Sequence, residues 1–313
     1  MQGLELARAY YEEYGAPMLH EQFPEYEELI AAGLCGSGSE CLGYDDEISQ
    51  DHDFEAGFCL FLPGETVIDR QTAFRLERAY AKLPKDFCGF KKSFLSPAGG
   101  NRHGVIRMSE FFLAKTGNED GVLSGREWFR VPEYNLLEVT NGAVFRDDSG
   151  IFSAKRRTLS SFPEDVQLKK LAGELATMAQ AGQYNYLRCL DHGDEAAAQL
   201  AAITFAQAAL HAVFLLNRAY MPYYKWQFRA LRGLPKLSAL SSSLFRLISG
   251  GNSAEEMQEK YMTIENTAAA VIDELQAQSL TEAVCGDLSK HAASVNDRIA
   301  DPALRNEDIF FGV

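Results

Sequence analysis

Two short apolar runs constrain the first half of this chain more than any other feature: Leu29-Ile30-Ala31-Ala32-Gly33-Leu34-Cys35 and Phe58-Cys59-Leu60-Phe61-Leu62. Both are too short for a core helix, and the second stops at Pro63-Gly64, so both read as buried strands. The connection between them carries Gly36-Ser37-Gly38-Ser39 and then Asp51-His52-Asp53. On extended backbone, residues two apart share a face, which sets Asp51 and Asp53 side by side. Adjacent carboxylates repel unless one is protonated or a cation lies between them. A hard divalent ion, Mg²⁺ or Mn²⁺, suits such a pair and keeps positions open for water and phosphate oxygens. The Gly-Ser turn upstream can offer backbone N–H groups and a hydroxyl to a phosphate, because glycine admits close approach. The expectation is metal-assisted chemistry on a nucleoside triphosphate, with Asp51 and Asp53 as metal ligands and catalytic residues. Gly38 and Ser39 would contact the phosphates, although Gly36-Ser37 offers a second register.

Gly38-Ser39, eleven residues, then Asp51-His52-Asp53 resembles the Gly-Ser…Asp-x-Asp signature of the nucleotidyltransferase superfamily, which includes polymerase-beta-like and kanamycin-nucleotidyltransferase-like enzymes. The wider wording from Gly38 to Asp53 is closer to a bacterial family known as domain of unknown function 4037. Two further blocks resemble that family: Gly142-Ala143-Val144-Phe145-Arg146-Asp147 with Arg157 downstream, and Leu216 to Trp226. The resemblance implies a nucleotidyltransferase-like mixed-sheet domain. It also implies Mg-dependent transfer of a nucleoside monophosphate from a triphosphate, with ATP the first candidate, to a hydroxyl of a small molecule or a protein. Many members of the superfamily carry a third carboxylate on a neighbouring strand. Here Val105 to Met108 carries Arg107 instead, and Glu110, Glu138 and Asp147 do not fit the pattern. This departure keeps a second reading open, a nucleotide-binding or regulatory interaction protein with catalysis reduced or lost. A phosphohydrolase on the same metal pair is a weaker third.

Charge is distributed unevenly along the chain. The formal net charge is −14, and Ala9 to Asp69 holds no Lys or Arg, whereas Ala196 to Ala254 holds no Asp or Glu. The two regions are expected to face each other or to share an ion and an anionic ligand. The overall acidity argues against a nucleic-acid backbone as partner and favours a single nucleotide. Within the basic region Arg218, Lys225, Arg229, Arg232 and Lys236 follow helical stripe spacing, although Pro222 and Gly233 must bend it. Tyr220, Tyr223, Tyr224 and Trp226 are interleaved with them. Aromatics beside cations suit a stacked base and a neutralised phosphate, so Tyr223 and Lys225 join the nucleotide-binding candidates. The bland alternative is a solvated helix face, with Trp226 simply core.

The rest of the chain reads as ordinary globular protein. Six scattered cysteines without a C-x-x-C suggest reduced, buried thiols rather than disulfides or zinc. The richest apolar stretch, Leu200 to Leu216, is broken by Thr204, Gln207 and His211 and reads as a buried bundle helix. No membrane association is expected, and Met1-Gln2-Gly3-Leu4-Glu5 lacks a basic leader, so a cytoplasmic location follows, with a homodimer open. Leu4 to Tyr14 reads as a helix ended by Gly15-Ala16-Pro17. Asp69 and Ser253-Ala254-Glu255-Glu256 read as helix caps. Asp147 reads as a turn acid, His52 as packing, and Asp46 as a reserve candidate. From Pro163 onward the period is helical, and a last helix is expected from about Thr281 to Ala300. The fold class expected is α+β: a nucleotidyltransferase-like mixed-sheet domain over 1–155, then an α-helical bundle over 156–313.

Overall fold

The computed structural model describes residues 2–46, 56–91 and 102–313. The chain divides into two compact units, Met1–Ser160 and Ser161–Val313. It is an α+β protein: a mixed sheet with its helices in the first unit, helices alone in the second.

The first unit opens with α1 (Gly3–Tyr10), which does not stop at Gly15 as its sequence suggests. It runs through a π-helical turn (Tyr11–Gly15) into α2 (Ala16–Gln22). Pro17 falls in the first turn of α2, where its missing N–H costs little once the π turn has shifted the hydrogen-bond register. Gly15 is there for room. A Cβ on it would lie 2.5 Å from Cζ of Phe58.

The strands β1 (Ala31–Leu34), β2 (Cys59–Leu62), β3 (Asp86–Phe87), β4 (Phe90–Lys91), β5 (Gly104–Arg107) and β6 (Ala143–Arg146) form two sheets. The larger has the order β5-β2-β1-β6, with β2 and β5 parallel and the other pairs antiparallel; β3 and β4 make a small hairpin. Both faces of β2 are covered, which is why its sequence is apolar without alternation. On one face Phe58, Leu60 and Leu62 join Leu6, Tyr10, Tyr11 and, from α4 (Arg70–Tyr80), Leu76 and Tyr80. Phe58 packs edge-on against Tyr11 and Tyr80 at 5.2 and 5.0 Å, and the Tyr80 hydroxyl donates to the Phe58 carbonyl at 2.8 Å. On the other face Phe61 stacks on Phe152 at 4.0 Å and meets Phe111 edge-on at 5.1 Å. Those rings come from α7 (Ile151–Thr158) and α5 (Met108–Thr116). Between these two helices lies α6 (Glu133–Thr140), and the short α3 (Ser39–Leu42) follows β1. Through Phe152, α7 joins this core, and the first unit runs to Ser160.

The second unit is built around α10 (Glu195–Leu216), a helix long and apolar enough to cross a membrane by length and composition. Here 67% of its most apolar window is buried. Around it stand α8 (Glu164–Met178), a π-helical turn (Ala179–Asn185), α9 (Tyr186–Asp191), α12 (Leu240–Ser249) and α13 (Ala254–Ala277). The short α11 (Gln227–Leu231) precedes α12; α14 (Leu288–Asp297) packs on α8, and α15 (Pro302–Arg305) follows. Helix C-termini leave carbonyls without intrahelical partners. At the end of α10 three side-chain amides supply them: Gln167 to Leu215 at 2.7 Å, Gln278 to Leu216 at 2.9 Å and Asn217 to Val213 at 2.8 Å. The last expected helix is shorter than its sequence suggests. Residues 281–287 are not helical, because the Asp287 carboxylate accepts the Ser289 N–H at 2.9 Å and caps α14 there.

Candidate functional site

The Gly-Ser segment leaves the end of β1 and is braced from three directions. Asn141, just beyond α6, clamps the first glycine at two points: it accepts the Gly36 N–H at 2.9 Å and donates to the Gly36 carbonyl at 2.8 Å. Arg156 of α7 in turn donates to the carbonyls of Val139, at 2.7 Å, and Asn141. The Gly142 N–H closes the far side on the Cys41 carbonyl at 2.9 Å. Gly142 has φ +67°, and a Cβ on it would sit 2.0 Å from the Leu34 carbonyl oxygen, so only glycine fits between β1 and β6 here. Of the second sequence block, Gly142 thus lies at the junction that holds the loop, whereas Arg146 pairs with Glu27 and Asp148 at the other end of β6. Asp147 is a turn acid: its carboxylate accepts the Ser153 N–H at 2.7 Å at the start of α7.

Two cations and two carboxylates surround the loop. Ser37 is exposed, and its hydroxyl donates to Glu138 at 3.0 Å while accepting from Lys115 at 3.3 Å. Lys115, on α5, also pairs directly with Glu138 on α6. Arg102, just ahead of β5, pairs with Glu40 and donates to the Ser37 carbonyl at 3.3 Å. Its Nε has no partner among the described residues. Gly38 has φ +131°, and a Cβ there would lie 2.0 Å from the Arg102 guanidinium, so glycine is what lets Arg102 reach the loop. Ser39, half-buried, is the first residue of α3, and its carbonyl accepts the Tyr44 N–H at 2.8 Å. Beneath the loop lie three buried thiols, Cys35, Cys41 and Cys59. Burial pushes all three up, Cys35 to about 11, so they stay protonated and apolar. Of the other cysteines Cys88 is exposed and Cys189 and Cys285 are half-buried, so burial is not general; all six are free thiols.

Asp51 and Asp53, and with them His52, lie outside the described residues. Among the described residues no group of three or more His, Cys, Asp or Glu is arranged to hold a metal ion. The carboxylates nearest the loop, Glu40 and Glu138, are each committed to a cation. Arg107 stands on β5 where an acid was looked for, and it is structural, donating at 2.7 Å to the carbonyls of both Pro63 and Ile68. Asp45, beside the reserve candidate Asp46, accepts the Gly3 N–H at 2.7 Å and so fixes the start of α1.

In the second unit the basic segment is not one helical stripe. Asn217 ends α10, and its amide oxygen accepts the Lys236 N–H at 3.0 Å while its nitrogen donates to the Lys236 carbonyl at 3.0 Å. This clamp closes an excursion over 218–235 that holds only a short 3₁₀ turn (Tyr224–Trp226) and α11. Pro222 and Gly233 break the stripe as their chemistry requires. Tyr223 and Tyr224 are exposed, with rings 4.4 Å apart. The Trp226 ring is flanked by Lys225 at 5.2 Å and Arg229 at 5.7 Å, so it organises cations rather than filling a core. Lys236 pairs with Glu274 of α13 at 3.0 Å, an acid outside the basic segment.

Residues 128–227 match DUF4037, a domain of unknown function. That is about a third of the 313 residues. It takes in Glu138, Asn141, Gly142 and Arg156 from the first unit and Tyr223 and Lys225 from the second, but not the Gly-Ser loop. No curated protein matches the chain significantly. A nucleotidyltransferase-like protein from Exiguobacterium sibiricum, known from its crystal structure, is similar at 11% identity. The alignment covers 92% of this chain and 81% of that one with a TM-score of 0.37, a likeness too loose to carry residue roles.

Sequence reasoning missed Arg102 and Lys115. They lie 65 and 78 positions from Ser37, and no local spacing ties a distant cation to a glycine loop. For Glu138 and Asn141 there was a partial signal, since both border the Gly142 block.

Proposed function

We propose that the protein is a Mg²⁺-dependent nucleotidyltransferase acting in the cytoplasm, moving a nucleoside monophosphate from a triphosphate to a hydroxyl of a small molecule or protein. The observation that carries this reading is the braced Gly-Ser loop, where the Ser37 hydroxyl, Lys115 and Arg102 converge on backbone that only glycine can form. Such a loop suits phosphate oxygens, which need several donors fixed before they arrive. Asp51 and Asp53 follow in the same connection and are assigned the metal on their chemistry. Bound there, Mg²⁺ would neutralise the triphosphate charge and orient it. Glu40 and Glu138 keep Arg102 and Lys115 in place and are themselves neutralised, so they do not compete for the ion. Lys225 and Tyr223 are assigned to the nucleotide as well, on the strength of the aromatic and cationic excursion that bears them.

A second reading, nucleotide binding with catalysis lost, draws support from Arg107, which takes a purely structural role where a third carboxylate would stand.

One experiment separates them. Melting temperature is followed with ATP, GTP, CTP and UTP, each with and without Mg²⁺, for the wild type and for Asp51→Asn/Asp53→Asn. Pyrophosphate release is measured alongside. A ligand at a hundredfold excess over its dissociation constant adds about 2.7 kcal/mol to stability, a shift of several degrees. A metal-dependent shift with pyrophosphate release, both lost in the double variant, is the expected result. A shift without release across many acceptors favours the binding protein. No shift with any nucleotide overturns both readings.

A further inference from the structure

The second unit contains a cavity of about 850 Å³ that belongs to no site described so far. Its size falls in the range of small-molecule pockets. One wall is the π-helical turn Ala179–Asn185, which contributes Gln180, Gln183 and Tyr184; the facing walls bring Glu265 of α13, Asp287 at the start of α14, and Phe310.

The walls are held in place. Gln183 donates to the Gly286 carbonyl at 2.8 Å and accepts the Leu288 N–H at 2.9 Å, so the π turn is pinned to the start of α14. The segment bearing Phe310 is anchored on α8: the buried Lys169 ammonium donates to the Glu307 carbonyl at 2.8 Å, and Gly173 leaves room for Val313, which a Cβ would approach to 2.4 Å. A π turn inside a helix is rare and recurs at functional sites. Here it turns a row of side chains outward toward the cavity.

Charge and aromatic content select the ligand. Among the described residues, Glu265 and Asp287 are the only charged ones lining the cavity. Arg188 lies over the Tyr184 ring at 5.1 Å and Lys290 neighbours Asp287 in sequence, but neither side chain forms part of the wall. Tyr184 and Phe310 are 60% and 42% exposed at the cavity, with Arg188 over one face of the Tyr184 ring. Carboxylates beside exposed aromatic rings attract a cation with an apolar body, through charge pairing and the ring quadrupole together. We propose that this cavity binds a small organic cation, an amine carried on an aromatic or similarly apolar body. The proposal stands apart from the nucleotide reading and needs neither nucleotide nor metal.

Isothermal titration calorimetry of the full chain tests it with 2-phenylethylamine, and with 2-phenylethanol and phenylacetate as neutral and anionic counterparts of the same body. The amine is expected to bind, and both counterparts to bind about tenfold more weakly or not at all, the effect of one close charge pair. Glu265→Gln keeps the shape of the wall and should weaken the amine about tenfold. Tyr184→Ala, at an exposed position, should weaken it as well, and circular dichroism should show both variants as folded as the wild type. The proposal is overturned by no heat from the amine at millimolar concentration, by phenylacetate binding as tightly, or by wild-type affinity in both variants.

Discussion

Single side chains decide how the sheet of the first unit is tied at its edge. Glu27, in a 3₁₀ turn just before β1, pairs with Arg146 at the end of β6 and accepts from His20 at 3.0 Å. The hydrogen bond from Arg146, aided by that from His20, holds its carboxyl below the usual carboxylate range. The sign follows from linkage. A depressed folded value means that this group stabilises the fold above the unfolded value of about 4.3, and that the contribution is lost as pH falls through the folded value. Melting temperature measured from pH 6 to pH 3 should therefore drop less steeply in Glu27→Gln than in the wild type. The variant should already sit lower at pH 6. Parallel curves would show that Arg146 does not hold the Glu27 carboxylate in solution.

At the level of elements, caps were legible and interruptions were not. Asp69 accepts the Thr72 N–H at 2.7 Å, and Ser253 with Glu256 forms a reciprocal capping box at the start of α13, both as read from the sequence. Such signals are local, because the capping side chain bonds within three residues of itself. Ser253→Ala should cost about 1 kcal/mol in urea unfolding, with Ser253→Asp close to wild type. Equal loss in both would assign the effect to something other than the cap. The strands were legible too, since their apolar runs are continuous and bounded by turn residues. Gly15 and Pro17 misled because breakers are judged on an isolated helix, while here packing against Phe58 calls for the glycine and a π turn absorbs the proline. The basic stripe misled for the converse reason. Its spacing suited a helix, and the Asn217 clamp instead ties both ends of a mostly irregular excursion. The part of the site built by Arg102 and Lys115 was invisible, because sheet pairing and the docking of α5 create it from residues far apart in sequence.

For the whole chain, the division at Ser160 and Ser161 makes a claim about α10 that can be tested directly. An apolar helix of 22 residues is compatible with either a membrane or a protein core. Its sequence breaks, Thr204, Gln207 and His211, are the residues that distinguish them here. His211 is hydrogen-bonded to Glu174 of α8 at 2.6 Å, both nearly buried, and a polar pair of this kind needs a protein partner rather than lipid. The elements that pack most on α10, namely α8, the π turn, α9, α12 and α13, lie within 161–313, and the three amides that satisfy its last carbonyls come from the same unit. The fragment 161–313 therefore carries the main packing partners of α10 among the described residues. Expressed alone it should be soluble without detergent, strongly helical by circular dichroism and cooperative in thermal unfolding. Glu174→Leu, which strands His211 against an apolar wall, should lower its stability by about 1–3 kcal/mol, the cost of a buried polar group left without its partner. A fragment that requires detergent, or that melts without cooperativity, would mean that α10 depends on more than its own unit.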